Sequence, residues 1–292
     1  MRLLLFGGIF LASGASPKKK RPAIVVGSLA RSAKVLGAAN ALGFGISVAT
    51  GSHVHLDLIG TGAFTVAAAA TRGRALRTAV SATCVGAWAT RLASFLFFRA
   101  LKMGHDARLE ETLSTVPGAF SFWLVSFAWG WLTMLPHTLA ADNPRPPSLG
   151  PWSTIAGLLF VVGIATEVSA DFQKWAFKQQ QDPKASFCNV GVWSVSQHPN
   201  YFGNLCLWTG IWLLNVPALL ATPGKLVAST LCPLFLTTLF VGQSAGWIGP
   251  ALELADKKYG ALPEYQAYKA NTPLIVPYPI PLLKALAAAA FA

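Results

Sequence analysis

Charge is the scarcest property of this chain. Only 12% of its 292 residues are charged, against about 25% in a typical soluble domain. With 53% hydrophobic residues and a mean hydropathy of +0.50, that deficit excludes an ordinary soluble domain and points to the membrane. Acidic residues are rarer still, 11 Asp and Glu against 23 Lys and Arg, for a net charge of +12 at pH 7. None precedes Asp57. On a membrane protein such a surplus belongs to cytosol-facing loops and anionic headgroups rather than to nucleic acid, and it also suits a polyanionic cofactor. The four cysteines, Cys84, Cys188, Cys206 and Cys232, show no C-x-x-C spacing. That argues against a zinc ribbon, a redox dithiol and a disulfide framework. No histidine follows His198, so the G-x-S-x-G match at Gly242-Gln243-Ser244-Ala245-Gly246 lacks the downstream base a nucleophile elbow requires. Gly60-Thr61-Gly62 lacks the third glycine and the βαβ frame of a dinucleotide fingerprint and reads as a helix-packing contact. Strand alternation and internal repeats are also missing.

What is present is a series of apolar runs, at about 35–50, 57–71, 76–98, 116–140, 151–170, 203–221 and 226–245. A spanning helix needs about 20 residues, and the first two runs are short and rich in small residues, as tightly packed helices are. The expectation is an all-α, polytopic membrane bundle of about seven transmembrane helices. Residues 1–34 form a separate targeting-like segment: Met1-Arg2, an apolar stretch to Leu11, a Ser13-Gly14-Ala15 cleavage pattern and a Lys-rich block. Residues 35–292 make the membrane domain. Seven spans put Arg99, Lys102, Arg108, Lys174, Lys178, Lys184, Lys257, Lys258 and Lys269 on one face, against Arg72, Arg74, Arg77, Arg145 and Lys225 on the other. The positive-inside rule makes the first face cytosolic or stromal. A signal-like start followed by a basic stretch allows the endoplasmic reticulum, a plastid or a mitochondrion.

The polar groups fall into a few clusters. His198-Pro199-Asn200-Tyr201-Phe202-Gly203 follows a turn-like stretch from Gly191 and leads into an apolar run. A proline-pinned polar knot at a helix mouth is a candidate site by default. Glu167, Asp171 and Lys174 share one helix face by their i, i+4, i+7 spacing; they read either as a charged helix end or as carboxylates accepting ribose or amide hydrogen bonds. Arg91 lies within an apolar run and Arg99 and Arg108 follow it. These are interfacial anchors or guanidinium partners for a phosphate. Every tyrosine lies at or after Tyr201, forming an interfacial cap or supplying proton donors and cofactor contacts. His53 and His55 are too few for a metal set, and a satisfied interfacial pair is the better reading. No other grouping suggests a metal.

The stretch Val190 to Asn204, taken with Glu167–Lys174 before it and the Glu- and Tyr-rich tail after it, resembles the signature of membrane proteins related to the steroid 5-alpha-reductase C-terminal domain (the DUF1295 type). Sterol reductases and isoprenylcysteine carboxyl methyltransferases are more distantly similar. The resemblance covers most of the chain beyond residue 50. It implies an integral-membrane reductase that binds NADPH in its C-terminal half, about 151–278, and reduces a carbon–carbon double bond of a hydrophobic lipid such as a sterol, isoprenoid or enone. It implies cofactor contacts from Asn200, His198, Asp171 and Glu167, with Lys174, Arg91, Arg108, Glu253 and Tyr265 around them. Tyr201, His198 and Tyr268 would be the catalytic candidates. The relatives have Arg before His-Pro and Glu after Phe-Gly; here these are Gln197 and Asn204, which reads either as a neutral amide pair in place of an ion pair or as weakened cofactor binding. Position 167 is asparagine in some relatives. The alternatives are a membrane methyltransferase using S-adenosylmethionine, and a non-catalytic subunit that keeps the fold.

Overall fold

The computed structural model describes residues 27–103, 110–180 and 186–290. Arg108, Lys184 and most of the targeting-like segment lie outside them. The described chain is helical throughout: α1 Ser28–Thr50, α2 Leu56–Ala70, α3 Leu76–Met103, α4 Glu110–Leu113, α5 Val116–Thr133, α6 Leu135–Ala141, α7 Pro151–Gln180, α8 Pro199–Leu219, α9 Pro223–Ser229, α10 Leu231–Ser244, α11 Ala251–Tyr259, α12 Pro263–Asn271 and α13 Pro279–Ala290. The apolar runs of the sequence have become these helices. α1, α3, α7, α8 and the α9–α10 unit are each long and apolar enough to cross a bilayer, and α5 with α6 makes a sixth candidate span bent by 53°. Besides the short apolar α13 there is α2, with 15 residues. At 1.5 Å per residue it falls short of a hydrocarbon core about 30 Å thick, so neighbouring helices must shield its ends. α1 begins at Ser28, so Arg31 and Lys34 of the basic segment are already helical.

The helix ends sort onto two faces. On one, the Arg77 guanidinium donates to the carbonyls of Pro147 (3.0 Å), Ser148 (2.6 Å) and Leu214. The Asn143 amide donates to Ala218 O at 2.7 Å, and Arg31 to Ala70 O at 3.0 Å. The last two bonds satisfy carbonyls in the final turns of α8 and α2, which helix ends leave without partners, and the Arg77 bonds tie the 147–148 segment to α8. Between the faces lies an aromatic core: Phe64, Trp88 and Trp208 are fully buried, and the Trp88 and Trp208 rings meet edge-on at 5.0 Å. The opposite face gathers the α1–α2 turn, the end of α3, the segment before α5, the end of α7, the 186–198 loop and the C-terminal helices α11 and α12. The candidate site lies there.

Candidate functional site

Glycine sets the site's geometry. A methyl added at Gly203 would sit 2.7 Å from both the Glu167 nitrogen and the Gly163 carbonyl oxygen, and one at Gly210 2.7 Å from the Ala156 oxygen. α7 and α8 are therefore in backbone contact at two levels, two turns apart on each helix. Small residues permit this approach, and van der Waals contact then holds it. The seam brings the Glu167–Asp171 face of α7 against the first turn of α8. Pro199 occupies the first turn of α8, where its missing N–H costs nothing. Before it, Gly191 at φ +56° turns the chain so that the Gln173 side chain fills the space a Cβ would need. Gln173 Oε1 in turn accepts from the Val192 nitrogen at 2.9 Å.

Beneath the site is a buried ionic cluster. Arg91 reaches from α3 to Asp171 Oδ2 (2.6 Å) and Glu167 Oε1 (3.3 Å). Glu167 also accepts from the Trp88 indole nitrogen at 3.2 Å and from the Asn204 amide at 3.2 Å. The two carboxylates thus share one guanidinium and two neutral donors, the kind of partnering a buried charge needs.

Above this cluster is a cavity of about 990 Å³, at the upper end of the ~300–1,000 Å³ usual for small-molecule sites. Its wall includes Asp171, Lys174, His198, Asn200, Tyr201, Tyr265 and Tyr268, so α7, the His-Pro-Asn-Tyr turn and the tyrosine tail do converge. The cavity is cationic, lined by Arg99, Lys174, Lys178 and Lys258 against Asp57 and Asp171, and Asp171 is already bound to Arg91. The His198 ring stacks on Tyr201 at 4.9 Å, and Tyr201 on Phe240 at 4.6 Å. Burial, helped by nearby Lys174, pushes the His198 pKa down to about 4, so the imidazole is neutral at physiological pH. Asn200 Oδ1 is buried with no hydrogen-bond partner.

The other predicted residues are placed differently. Glu167 and Arg91 are not on the wall; they support it from below through Asp171. Glu253 projects into solvent on α11 and pairs with Lys257 at 2.7 Å. Tyr265 donates to Asp256 at 3.2 Å, and burial together with that carboxylate pushes its pKa up to about 12. Tyr268 donates its hydroxyl to the Trp193 carbonyl at 2.6 Å, with the Ser196 carbonyl at 3.2 Å. It braces the 191–197 loop. Lys174 lies 4.0 Å from the Trp193 ring centre. Gln197 and Asn204 do not pair with each other. Gln197 donates to the carbonyls of Lys269 (3.0 Å) and Thr272 (2.6 Å) at the end of α12, and Asn204 serves Glu167.

The sequence places Lys178 and Lys258 only on the basic face and does not single them out as site residues; Trp175 is not singled out either, and His53 is marked only as an interfacial residue. Positions 171, 174, 175 and 178 continue one helix stripe, so extending the i, i+4 pattern by one turn would have found Trp175 and Lys178. No comparable signal links His53 or Lys258 to the site, because the tertiary fold alone brings them there.

Comparison with known proteins gives one match. No curated protein and no solved structure matches the chain. The model of the DUF1295 family, described as proteins of unknown function, matches residues 43–272. That range contains the buried ionic cluster and the described cavity-lining residues, and it covers well over half of the 292 residues. The chain belongs to the DUF1295 family.

Proposed function

We propose that this protein is an integral-membrane reductase that binds NADPH in the cationic cavity and reduces a carbon–carbon double bond of a hydrophobic lipid. The observation that carries the reading is the Asn200 carbonyl oxygen, buried without a partner on the cavity wall beside a neutral histidine. An orphaned acceptor in a buried site costs stability unless a ligand donates to it. A carboxamide is a suitable donor, and Asn200 can return the hydrogen bond through its own NH₂. Arg99, Lys174, Lys178 and Lys258 would offset the charge of a pyrophosphate and a 2′-phosphate.

Bound NADPH would supply the hydride. The chain's contribution is orientation and polarisation. Tyr201, stacked between His198 and Phe240, lines the cavity and would donate to an oxygen on which negative charge develops. Neutral His198 would fix that ring by stacking and offer its own N–H. Tyr268 is left out of this role because its proton is already given to backbone carbonyls. Leu56, Phe95, Met103, Leu113 and Trp175 form an apolar wall suited to a lipid. The Gln197 and Asn204 side-chain NH₂ groups both have acceptors, the Lys269 and Thr272 carbonyls for the first and Glu167 for the second.

The charge of the cavity favours a polyanion over S-adenosylmethionine, whose sulfonium is cationic. Detergent-purified protein titrated with each ligand, followed by tryptophan fluorescence, should respond to NADPH and not to S-adenosylmethionine. The reverse outcome would support the methyltransferase reading, and no response to either would reject both enzymes in favour of a non-catalytic subunit.

A further inference from the structure

A second group on the cavity wall lacks a partner. Ser186 lines the cavity, and its hydroxyl oxygen is buried with no hydrogen bond. Such a group costs stability unless a ligand meets it. The next residue, Phe187, is the hub of an aromatic cluster. Its ring lies 5.1 Å from Tyr265, 5.2 Å from Tyr268 and 6.2 Å from Tyr259, and all four rings line the cavity. Two of them are fixed by their hydroxyls, Tyr265 on Asp256 (3.2 Å) and Tyr268 on the Trp193 carbonyl (2.6 Å). Phe187 and Tyr259 are only half-buried. The cluster is therefore a preorganised aromatic surface with an unsatisfied hydroxyl beside it.

Its place along the cavity follows from the chain. On α7, Asp171, Lys174 and Lys178 line the cavity in that order, and at 1.5 Å per residue Lys178 stands about 10 Å beyond Asp171. α7 and α8 run antiparallel along their seam, so Asn200, at the start of α8, lies at the Asp171 end. The chain returns from Gln180, the end of α7, to Val192, which is held by Gln173. Ser186 and Phe187 lie in that return. Phe187 reaches Lys174 through Tyr268 and Trp193, whose ring centre is 4.0 Å from the Lys174 ammonium. The cluster thus adjoins the row of lysines, and Asn200 lies at the other end of it. We infer that the cluster is the adenine subsite of the cavity: a purine stacks on Phe187 and Tyr259, and Ser186 Oγ hydrogen-bonds its polar edge. Aromatic side chains suit the π-face of a base, and a hydroxyl serves either a ring nitrogen or an amino group because it both donates and accepts. The inference rests on the reading of the cavity as an NADPH site and adds the end at which the adenosine lies. Nicotinamide at Asn200, phosphates along Lys174 and Lys178 and adenine at Phe187 follow the order of these groups in the dinucleotide.

The test uses the full-length protein in detergent and calorimetric titration with three probes: NADPH, adenosine 2′,5′-bisphosphate and inorganic pyrophosphate. The parent should bind the bisphosphate about five- to a hundredfold more tightly than pyrophosphate, the worth of one stacked base. Phe187→Leu should remove most of that advantage. Ser186→Ala should weaken the bisphosphate by about three- to tenfold, the worth of one neutral hydrogen bond. Both variants should weaken NADPH as well. The bisphosphate has no carboxamide, so Asn200→Ala should bind it as the parent does. Bisphosphate binding that is absent, no tighter than that of pyrophosphate, or lost in Asn200→Ala would overturn the inference. NADPH affinity unaffected by both Phe187→Leu and Ser186→Ala would also overturn it while leaving the reductase reading in place. The comparison of bisphosphate with pyrophosphate on the parent stands even if a variant fails to fold. A protein that binds the bisphosphate through Phe187 but does not bind NADPH would reject the reductase reading and keep the adenine subsite.

Discussion

At the scale of single residues, the α7–α8 seam carries one carboxylate and one amide. Glu167 of α7 accepts from the Asn204 amide of α8 at 3.2 Å, and Arg91 pairs with the carboxylate. With the two groups exchanged, the seam would still hold one carboxylate and one amide. Swapping the two residues should therefore be better tolerated than changing either one. Glu167→Asn and Asn204→Glu should each lower the melting temperature, at a cost of about 1–3 kcal/mol, and the double variant should recover most of it. A double variant no more stable than the worse single one would reject the exchange. His198 allows a pH prediction at the same scale. Its pKa falls from an ordinary 6.5 to about 4 in the folded protein, so between these values the unfolded chain binds more protons. The stability that neutral His198 contributes is fully present above pH 6.5 and is lost as pH falls toward about 4. Melting curves across that window should fall less steeply for His198→Gln than for the parent; parallel curves would show that the ring is not held neutral. His53, also shifted down, acts in the same direction in both proteins.

At the scale of elements, the α7–α8 seam determines whether a site exists at all. Gly203→Ala would push a methyl against the α7 backbone and should cost about 1–3 kcal/mol, with a matching loss of ligand binding as Asp171 moves away from the His-Pro-Asn-Tyr turn. Gly157 lies on α7 with nothing within 4 Å of an added Cβ, so Gly157→Ala should be neutral or slightly stabilising, by up to about 1 kcal/mol. Thermal denaturation of the two variants separates seam packing from helix propensity; similar melting temperatures would count against the seam. The helices themselves could be read from the sequence, because hydropathy and length dictate a membrane span. The break at Met134 between α5 and α6 could not, although Pro136 in the first turn of α6 marks it in hindsight. The separation of α9 from α10 at Thr230 was hidden within one apolar run. Both are local bends that hydropathy does not register.

At the scale of the whole molecule, the fold separates two tasks. One face is tied by backbone carbonyls bound to Arg77, Asn143 and Arg31, and the other opens into the cavity. Asp171, Lys174, His198, Asn200 and Tyr201 could be placed in the site from sequence because each lies within a turn or two of a recognisable motif. Arg99 could be named as a phosphate partner from its place after Arg91, but Lys258 and His53 are far apart in the chain and join the lining only when α11 and the α1–α2 turn are assembled. Glu253, which the resemblance implies as a cofactor contact, lies off the cavity lining in an exposed i, i+4 pair with Lys257. Arg99, Lys174, Lys178 and Lys258 of the basic face line the cavity, which by the positive-inside rule would face the cytosol or stroma, where a soluble polyanionic cofactor is available.

The central claim is that Asn200 is the anchor of a cofactor site, and NADPH affinity compared between the parent protein and Asn200→Ala tests it most directly. The account predicts saturable NADPH binding by the parent and a loss of at least about tenfold in the variant, the worth of a paired buried carboxamide, with an unchanged size-exclusion profile. A correctly folded Asn200→Ala protein that binds NADPH as tightly as the parent would contradict it.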